Sequence, residues 1–383
     1  MIRQKPEAPW ICCSRNRRQH LNTFLKTNAI EDIVKYSLEI KKKIPQATII
    51  HHVDAESGIW ATRKRKIVRW IKDEWQPVAD LPYSWPRDIF AFSRITSRIM
   101  RADKCNVYVN RLGNVMAIRA GSVYAIEGGQ VRRLFSIQGD CVLHRSICED
   151  EQGSIFFGEY FMNPDCRPVR IWRVSPRLDD WQIAAQLEGV RHVHGVYRDP
   201  YHTGHYWVTV GDFAGQCNIL QSIDQFKSFI SHGDGSQKWR AVNLFFTSDH
   251  VAWLTDSNLE QNHACRMHRQ SGSMETGQPI NASVWYGCST AEGLHVAFTT
   301  IEQGPAILSN ESQILVSEDA FHWEKVYGFK KDFWKPVKIF KYGVISCPSG
   351  IVSKNSLFLS GEGLVGLDGT SVQVAIKKTA YRQ

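Results

Sequence analysis

Two histidines separated by one residue, His192 and His194, have the spacing in this sequence that most directly suggests chemistry. On a β-strand, side chains two residues apart point to the same face. Neutral imidazoles placed together in this way can bind a divalent metal ion, and histidine also serves as a general base near neutral pH. A divalent metal at this pair is the one cofactor that the sequence suggests. The competing interpretation is that both histidines are structural and hydrogen-bond to neighbouring segments.

Two acids, Glu159 and Asp212, each follow an apolar segment that predicts a β-strand. Carboxylates that face one cavity can hydrolyse a glycosidic bond, one as the acid and the other as the nucleophile or base. A lyase would instead use His194 or Tyr160 to remove the proton beside a uronate carboxylate, with Arg240 or a metal neutralising that group. The competing interpretation pairs both acids with nearby arginines in salt bridges.

Further charged and aromatic residues border the predicted strands and could form the walls of a substrate site. Guanidinium groups bind carboxylates in a two-point geometry, and aromatic rings offer flat faces to a sugar. This combination favours an acidic saccharide, although arginines that brace the scaffold are the alternative. The candidate substrate-binding residues are Arg87, His144, Arg145, Trp239, Arg240, Asp256, Trp285 and Tyr286.

A sequence repeat predicts where these candidate residues lie in the fold. A turn, mostly of Asp and Gly between apolar strand-like segments, recurs about every 48 residues, with anchors at 54, 102, 150, 199, 248, 292 and 341. A period of this length, with strands and no helical crossover, is typical of a β-propeller. Seven anchors predict an all-β fold of seven blades, with six or eight as alternatives. Since the first strand of each blade starts on the face to which the second returns, the candidate residues are expected around the central channel on that face.

Two segments, 222–229 and 317–323, keep the Ser-x-Asp spacing of the Asp-box turn, S-x-D-x-G-x-x-W, but have lost its glycine. On these residues the chain resembles the BNR, or Asp-box, sialidase-like β-propellers over residues 46–376. The resemblance implies the propeller architecture, with the Asp-box as a structural turn away from the active site. The F/Y-R-I-P segment and an assignable arginine triad are missing, which argues against a true sialidase.

The first 45 residues differ from the rest of the chain. Apolar residues at roughly helical spacing over 21–43 predict a helix, and Pro45 would end it. The sequence therefore predicts a helical N-terminal extension over 1–45 and a propeller domain over 46–383.

The bulk composition narrows the functional classes. The chain has 383 residues, a formal net charge of +9 and 10 cysteines without a C-x-x-C pair. A basic surface can attract nucleic acid, but no nucleic-acid-binding motif accompanies the charge, so no such partner is expected. No apolar segment is long enough to span a bilayer, and we expect a cytoplasmic protein that acts on or binds a saccharide. The competing class is a non-enzymatic propeller that binds a protein or a glycan.

Overall fold

The computed structural model describes residues 35–44, 47–89, 91–334, 336 and 338–379. These residues form seven β-sheets, or blades, of mainly antiparallel strands, and in most blades consecutive strands are hydrogen-bonded neighbours. The arrangement is a seven-bladed β-propeller, which confirms the predicted fold class and blade number.

The chain enters the propeller through β1 (Tyr36–Ile44), the outermost strand of blade 7. Blades 1 to 3 follow in order. Blade 1 contains β2 (Ile49–Val53), β3 (Ile59–Arg63), β4 (Lys66–Ile71) and β5 (Glu74–Asp80). Blade 2 contains β6 (Asn106–Val109), β7 (Val115–Arg119), β8 (Ser122–Glu127) and β9 (Gln130–Ser136). Blade 3 contains β10 (Ile147–Glu149), β11 (Ile155–Gly158), β12 (Val169–Val174) and β13 (Trp181–Leu187).

Blades 4 to 7 repeat this plan. Blade 4 contains β14 (Val193–Arg198), β15 (Tyr206–Val210), β16 (Asn218–Ser222) and β17 (Ile230–Ser231). Blade 5 contains β18 (Ala241–Phe246), β19 (His250–Thr255), β20 (Asn262–His268) and β21 (Met274–Ile280). Blade 6 contains β22 (Ser283–Ser289), β23 (His295–Thr300), β24 (Glu311–Ser317) and β25 (Glu324–Lys330). Blade 7 contains β26 (Val344–Ser346), β28 (Leu357–Glu362), β29 (Ser371–Lys378) and β1, while the short β27 (Ser349–Gly350) joins blade 1 beside β2.

The ring is closed by pairing the two ends of the propeller. Strand β1 runs antiparallel to β29, with Tyr36 opposite Lys378 and Ile44 opposite Ser371. The helix predicted over 21–43 is therefore wrong for residues 36–43, because pairing with β29 outweighs their helical spacing. The propeller sheet also starts before the boundary expected at residue 46. The remainder of the predicted N-terminal helix lies outside the described residues.

The turns between the first and second strands explain the sequence repeat. In blade 1, Asp54 accepts hydrogen bonds from the backbone N–H of Glu56 and Gly58, at 3.0 and 2.7 Å, and from the indole of Trp60 at 2.7 Å. In blade 4, Asp199 accepts one from the indole of Trp207 at 2.9 Å. Each of these aspartates thus satisfies a buried donor on the strand that follows its turn, which is a reason for the residue to recur.

The anchor expected at residue 102 does not mark the turn between the first and second strands of blade 2. An insertion between blades 1 and 2 contains the helix α1 (Arg94–Met100), which is capped by Ser93. The turn of blade 2 follows later, where Asn110 accepts hydrogen bonds from the N–H groups of Leu112 and Asn114 at 3.1 and 2.9 Å. The insertion shifted the true turn away from the regular spacing.

The two Ser-x-Asp segments form the local turn expected of an Asp-box. Ser222 donates a hydrogen bond to Asp224, and Ser317 donates one to Asp319, each at 2.9 Å. Both turns join the third and fourth strands of a blade. Because strands within a blade alternate in direction, these turns lie on the opposite face from the starts of the first strands.

Candidate functional site

One face of the propeller has a cavity of about 730 Å³ at the central channel. Its walls come from residues that precede first strands and residues that follow second strands, mainly in blades 3 to 6. Of the side chains singled out from the sequence, it is lined by Arg87, Tyr160, His192, His194, Asp212, Arg240, Asp256 and Trp285. These residues are far apart in sequence and meet because each blade returns its second strand to the same face.

The centre of this cavity wall is formed by His192, His194 and Asp212. Nε2 of His194 lies 3.1 Å from Nε2 of His192 and 3.0 Å from Oδ1 of Asp212. Nε2 of His192 lies 3.3 Å from Oδ2 of the same carboxylate. Both histidines are buried, so their ring nitrogens are held in place by protein contacts.

The carboxylate of Asp212 is also held by two arginines. Nη1 of Arg191 lies 2.7 Å from Oδ2, and Nη2 of Arg240 lies 3.1 Å from Oδ1. Burial alone would raise the pKa of Asp212, but the adjacent His192 and His194 and the charge of Arg240 outweigh it and hold the pKa well below the usual range. A carboxylate with both oxygens so occupied is a poor nucleophile or base. The structure therefore does not support Asp212 in the catalytic role suggested by the sequence.

A second acidic group lies beside Arg240. Asp256 accepts a hydrogen bond from the indole of Trp285 at 2.8 Å and lies 3.3 Å from Nε of Arg240. Glu302 accepts one from the hydroxyl of Ser283 at 2.6 Å. Burial raises the pKa of both Asp256 and Glu302. These acids offset part of the positive charge that the arginines bring to the cavity.

Tyr160 packs its ring against the histidines, with its centroid 4.2 Å from that of His192. Burial raises the pKa of Tyr160 well above its usual value, helped by the nearby Asp212 and Asp256 carboxylates. The phenol is therefore held protonated, which disfavours Tyr160 as the proton-abstracting base of a lyase.

Glu159 is not a wall of the cavity. Its side chain is fully buried within blade 3 and accepts hydrogen bonds from the N–H of Gln138 at 2.9 Å and the indole of Trp172 at 3.1 Å. The structure therefore does not bring Glu159 and Asp212 together at one cavity, as the expected catalytic pair would need. Glu159 directly follows β11, whereas Asp212 stands two residues beyond the end of β15, so the two acids do not occupy equivalent positions. Because side chains alternate in direction along an extended chain, this difference of one residue directs them to different sides.

Three more of the expected substrate-binding residues lie away from the main cavity or are held in structural contacts. Trp239 is buried and stacks on Trp253 at 5.1 Å. Arg145 donates a hydrogen bond to the carbonyl of Pro348. Arg87 lines the cavity but forms an ion pair with Asp140 at 2.7 Å.

A smaller cavity of about 180 Å³ adjoins the main one and shares Tyr160 and Trp285 with it. His144 and Tyr286 line this smaller space and meet edge to face at 5.4 Å. Burial lowers the pKa of His144 to about 4. The imidazole is therefore neutral at physiological pH and packs as an aromatic ring.

Several residues of the cavity were not recognised from the sequence. Arg191 precedes His192 directly, and its position beside a candidate histidine was the signal for it. The others lie in the loops after second strands, in the α1 insertion or before β26, where the chain has no regular pattern. The lining residues missed include Arg101, Lys104, Met162, Phe213, Leu259 and Lys341.

Comparison with known proteins supports the fold and goes no further. No protein-family model matches this chain, and no curated protein matches its sequence. A solved structure described as YCF48 bound to D1 peptide is similar with a TM-score of 0.51 and 11% identity, covering 91% of this chain and 98% of that one. A nidogen/laminin complex is similar with a TM-score of 0.43 and 8% identity, covering 69% of this chain and 97% of that one. The resemblance to Asp-box sialidase-like propellers is not confirmed by these comparisons. No helix in the described part of the chain is long and apolar enough to cross a membrane.

Proposed function

We propose that this protein is a non-enzymatic binding propeller that holds an acidic peptide segment of a partner protein across the mouth of its cavity. The observation that carries the proposal is the combination, around one cavity, of exposed apolar side chains with cations that have no salt-bridge partner. Protein interfaces are enriched in methionine, aromatic residues and arginine, whereas a site for a saccharide depends on exposed aromatic faces and polar groups.

The apolar part of the proposed surface is formed by Met162, Phe213 and Leu259, which we call the apolar rim. They follow the second strands of blades 3, 4 and 5, so the fold places them at equivalent positions. Their side chains are 73%, 43% and 64% exposed, and all three line the cavity. Large apolar side chains grouped around a cavity are typical of a surface that binds a partner.

The charged part of the surface is formed by Arg101, Lys104 and Lys341, which we call the basic rim. All three line the cavity, and none forms a salt bridge within the described residues. By contrast, Arg87 and Arg191 are each paired with an aspartate at 2.7 Å. Unpaired cations at the mouth of a cavity favour an anionic group on the ligand.

The geometry weakens the enzymatic alternative. Glycoside hydrolysis would need two acids that reach one substrate, and Glu159 is enclosed in blade 3. Lyase chemistry with Tyr160 as the base would need a phenol with a lowered pKa, and burial raises it. Peptide binding by the propeller of similar fold, whose description names a bound D1 peptide, agrees with the proposal at the level of architecture.

The proposal is tested by selecting binders from a displayed library of random short peptides on the immobilised full-length protein. We expect enriched peptides to combine an acidic group with apolar side chains. Measured by fluorescence anisotropy, the affinity of an enriched peptide should fall about tenfold in Leu259→Ser, because one buried apolar side chain contributes roughly 1.5–3 kcal/mol. Charge reversal in Lys104→Glu should also weaken binding.

Matched controls lie on the opposite face, in the turn between the third and fourth strands of blade 4. Ile223 is 56% exposed there and Lys227 is also exposed, so Ile223→Ser and Lys227→Glu should leave the affinity unchanged. The proposal is refuted if no peptide is enriched, or if the rim and control variants bind alike. Saturable binding of an acidic oligosaccharide, with no peptide bound, would favour the saccharide hypothesis instead.

A further inference from the structure

The three groups at the centre of the cavity wall present their ligand atoms to one another. The contacts between Nε2 of His192, Nε2 of His194 and the carboxylate of Asp212 have lengths of 3.1, 3.0 and 3.3 Å. Within the described residues, no other group of three or more His, Cys, Asp or Glu side chains brings its ligand atoms so close together.

The tautomers of both histidines follow from their second ring nitrogens. Nδ1 of His192 lies 3.0 Å from the carbonyl oxygen of Phe161, and Nδ1 of His194 lies 2.9 Å from that of Ala241. A carbonyl oxygen only accepts hydrogen bonds, so each Nδ1 must carry the proton. Each Nε2 atom then has a free lone pair that points toward the other ring and toward the carboxylate of Asp212. A metal ion between these groups could accept the lone pairs of both nitrogens and of the carboxylate.

The distances match those of a metal site. With metal–nitrogen bonds of about 2.0–2.1 Å, two nitrogens 3.1 Å apart subtend an angle of roughly 95–100° at the metal. The nitrogen–oxygen contacts involve different oxygens of Asp212: Oδ1 lies 3.0 Å from Nε2 of His194 and Oδ2 lies 3.3 Å from Nε2 of His192. Two imidazoles and one carboxylate grouped in this way occupy one side of a metal ion and leave its other positions open. Because all three residues line the cavity, those positions face a space that a ligand can enter.

The groups that contact the three proposed ligands resemble those that orient the ligands of known metal sites. Metal-binding histidines usually donate their other N–H to a backbone carbonyl or a carboxylate, and here both donate to carbonyls. Arg191 and Arg240 each bind one oxygen of Asp212 and so fix the orientation of the carboxylate. Asp256, which lies 3.3 Å from Nε of Arg240, and Glu302 line the same wall.

We propose that His192, His194 and Asp212 bind one divalent transition-metal ion of the zinc class, with open coordination positions toward the cavity. Imidazole nitrogen with one carboxylate suits zinc, iron or nickel better than calcium or magnesium, which prefer oxygen ligands. The site is independent of the peptide-binding function, because its ligands belong to the wall and neither rim contributes to them.

The experiment is a titration of the full chain, stripped of metal with a chelator, by isothermal calorimetry with Zn²⁺ and separately with Mg²⁺. We expect saturable binding of one Zn²⁺ per chain and none of Mg²⁺. His192→Ala and Asp212→Asn should each weaken zinc binding at least tenfold. Loading with Co²⁺ should produce visible absorption bands that are lost in His192→Ala.

A second histidine pair serves as the control for adventitious binding. The rings of His202 and His205 stack at 5.3 Å on the opposite face, near Asp199, so His202→Ala should leave the zinc affinity unchanged. If His192→Ala fails to fold, as judged by circular dichroism, the wild type still decides the question, since Zn²⁺ must then raise its melting temperature and a chelator must reverse the effect. The proposal is overturned if the wild type shows no saturable zinc binding, or if binding is lost in His202→Ala and retained in His192→Ala.

Discussion

Replacing Glu159 by alanine should destabilise the propeller strongly, because this side chain is part of the scaffold of blade 3. One carboxylate oxygen accepts hydrogen bonds from the N–H of Gln138 and the indole of Trp172, at 2.9 and 3.1 Å. The other accepts one from the N–H of Arg170 at 3.3 Å. The backbone of Gln138 leads out of blade 2, so Glu159 joins two neighbouring blades.

The size of the effect follows from the donors that lose their acceptor. Each buried donor left unpaired costs about 1–3 kcal/mol, and three donors lose their acceptor here. We therefore expect Glu159→Ala to lower the free energy of unfolding by about 3–5 kcal/mol. Glu159→Gln keeps one acceptor oxygen but turns an amide N–H₂ toward another donor. Its free energy of unfolding should therefore fall by a smaller amount, about 1–2 kcal/mol.

The assay is urea unfolding followed by tryptophan fluorescence, with Glu188→Ala as the matched control. Glu188 is exposed and lies between blades 3 and 4, so its removal should change stability by less than about 0.5 kcal/mol. A loss below about 1 kcal/mol in Glu159→Ala would refute the scaffold role. It would reopen the possibility that Glu159 reaches the cavity.

Two further predictions concern the turns and the closure of the ring. Burial alone would raise the pKa of Asp199, but hydrogen bonds from Arg269 and Trp207 lower it below its ordinary value of 3.8. This carboxylate therefore stabilises the fold above about pH 4, and that contribution is lost as the pH falls further. The Asp199→Asn variant should be less stable than the wild type at pH 7. Below pH 4, urea titrations should show that its free energy of unfolding falls less with pH than that of the wild type. In the closing strand β1, Ile44 is fully buried, so Ile44→Asp should cost about 3 kcal/mol or more, whereas the exposed Lys43→Asp should cost little in the same assay. Equal effects of these two substitutions would contradict the closure by β1.

The fold was predictable because the turns between first and second strands depend on local residue chemistry. Asp54 and Asp199 each accept backbone N–H groups of their own turn and an indole that follows it, so the same residue types recur in sequence. Blade 2 does not follow the pattern because Asn110 stands where blades 1 and 4 have an aspartate, and because the insertion that contains α1 precedes it. The strand β1 was missed for a different reason. Its pairing partner, β29, lies at the other end of the chain, and local spacing carries no information about it.

The candidate site was only partly predictable. The rule that first strands start where second strands end identified Asp212, Arg240 and Asp256 as neighbours of the histidines, and all of them line one cavity. It failed for Glu159, which directly follows β11 and accepts a hydrogen bond within its own sheet, whereas Asp212 stands two residues beyond β15. Strand position fixes the neighbourhood of a side chain, whereas its direction depends on the local backbone and on the donors within reach.

Irregular backbone in the inner hairpins directs two of the side chains that line this cavity. In blade 4 the pairing shifts between Val193 and Gly195, so His194 is the extra residue of a β-bulge. In blade 6 the pairing shifts between Val284 and Tyr286, and Trp285 is the extra residue. A bulge leaves one residue without a partner on the next strand and re-aims its side chain.

Both bulged residues line the cavity, and each contacts one of its acids: His194 lies 3.0 Å from Asp212, and Trp285 donates to Asp256 at 2.8 Å. In a regularly paired strand, successive side chains point to opposite faces of the blade. Each face packs against a neighbouring blade, so these side chains would not point to the central cavity. The regular hairpins thus build the ring, and the bulges direct polar side chains from it to the central space. A bulge inserts one residue without changing the residue types around it. For that reason the periodicity of the chain predicts the propeller but does not predict which inner residue reaches the cavity.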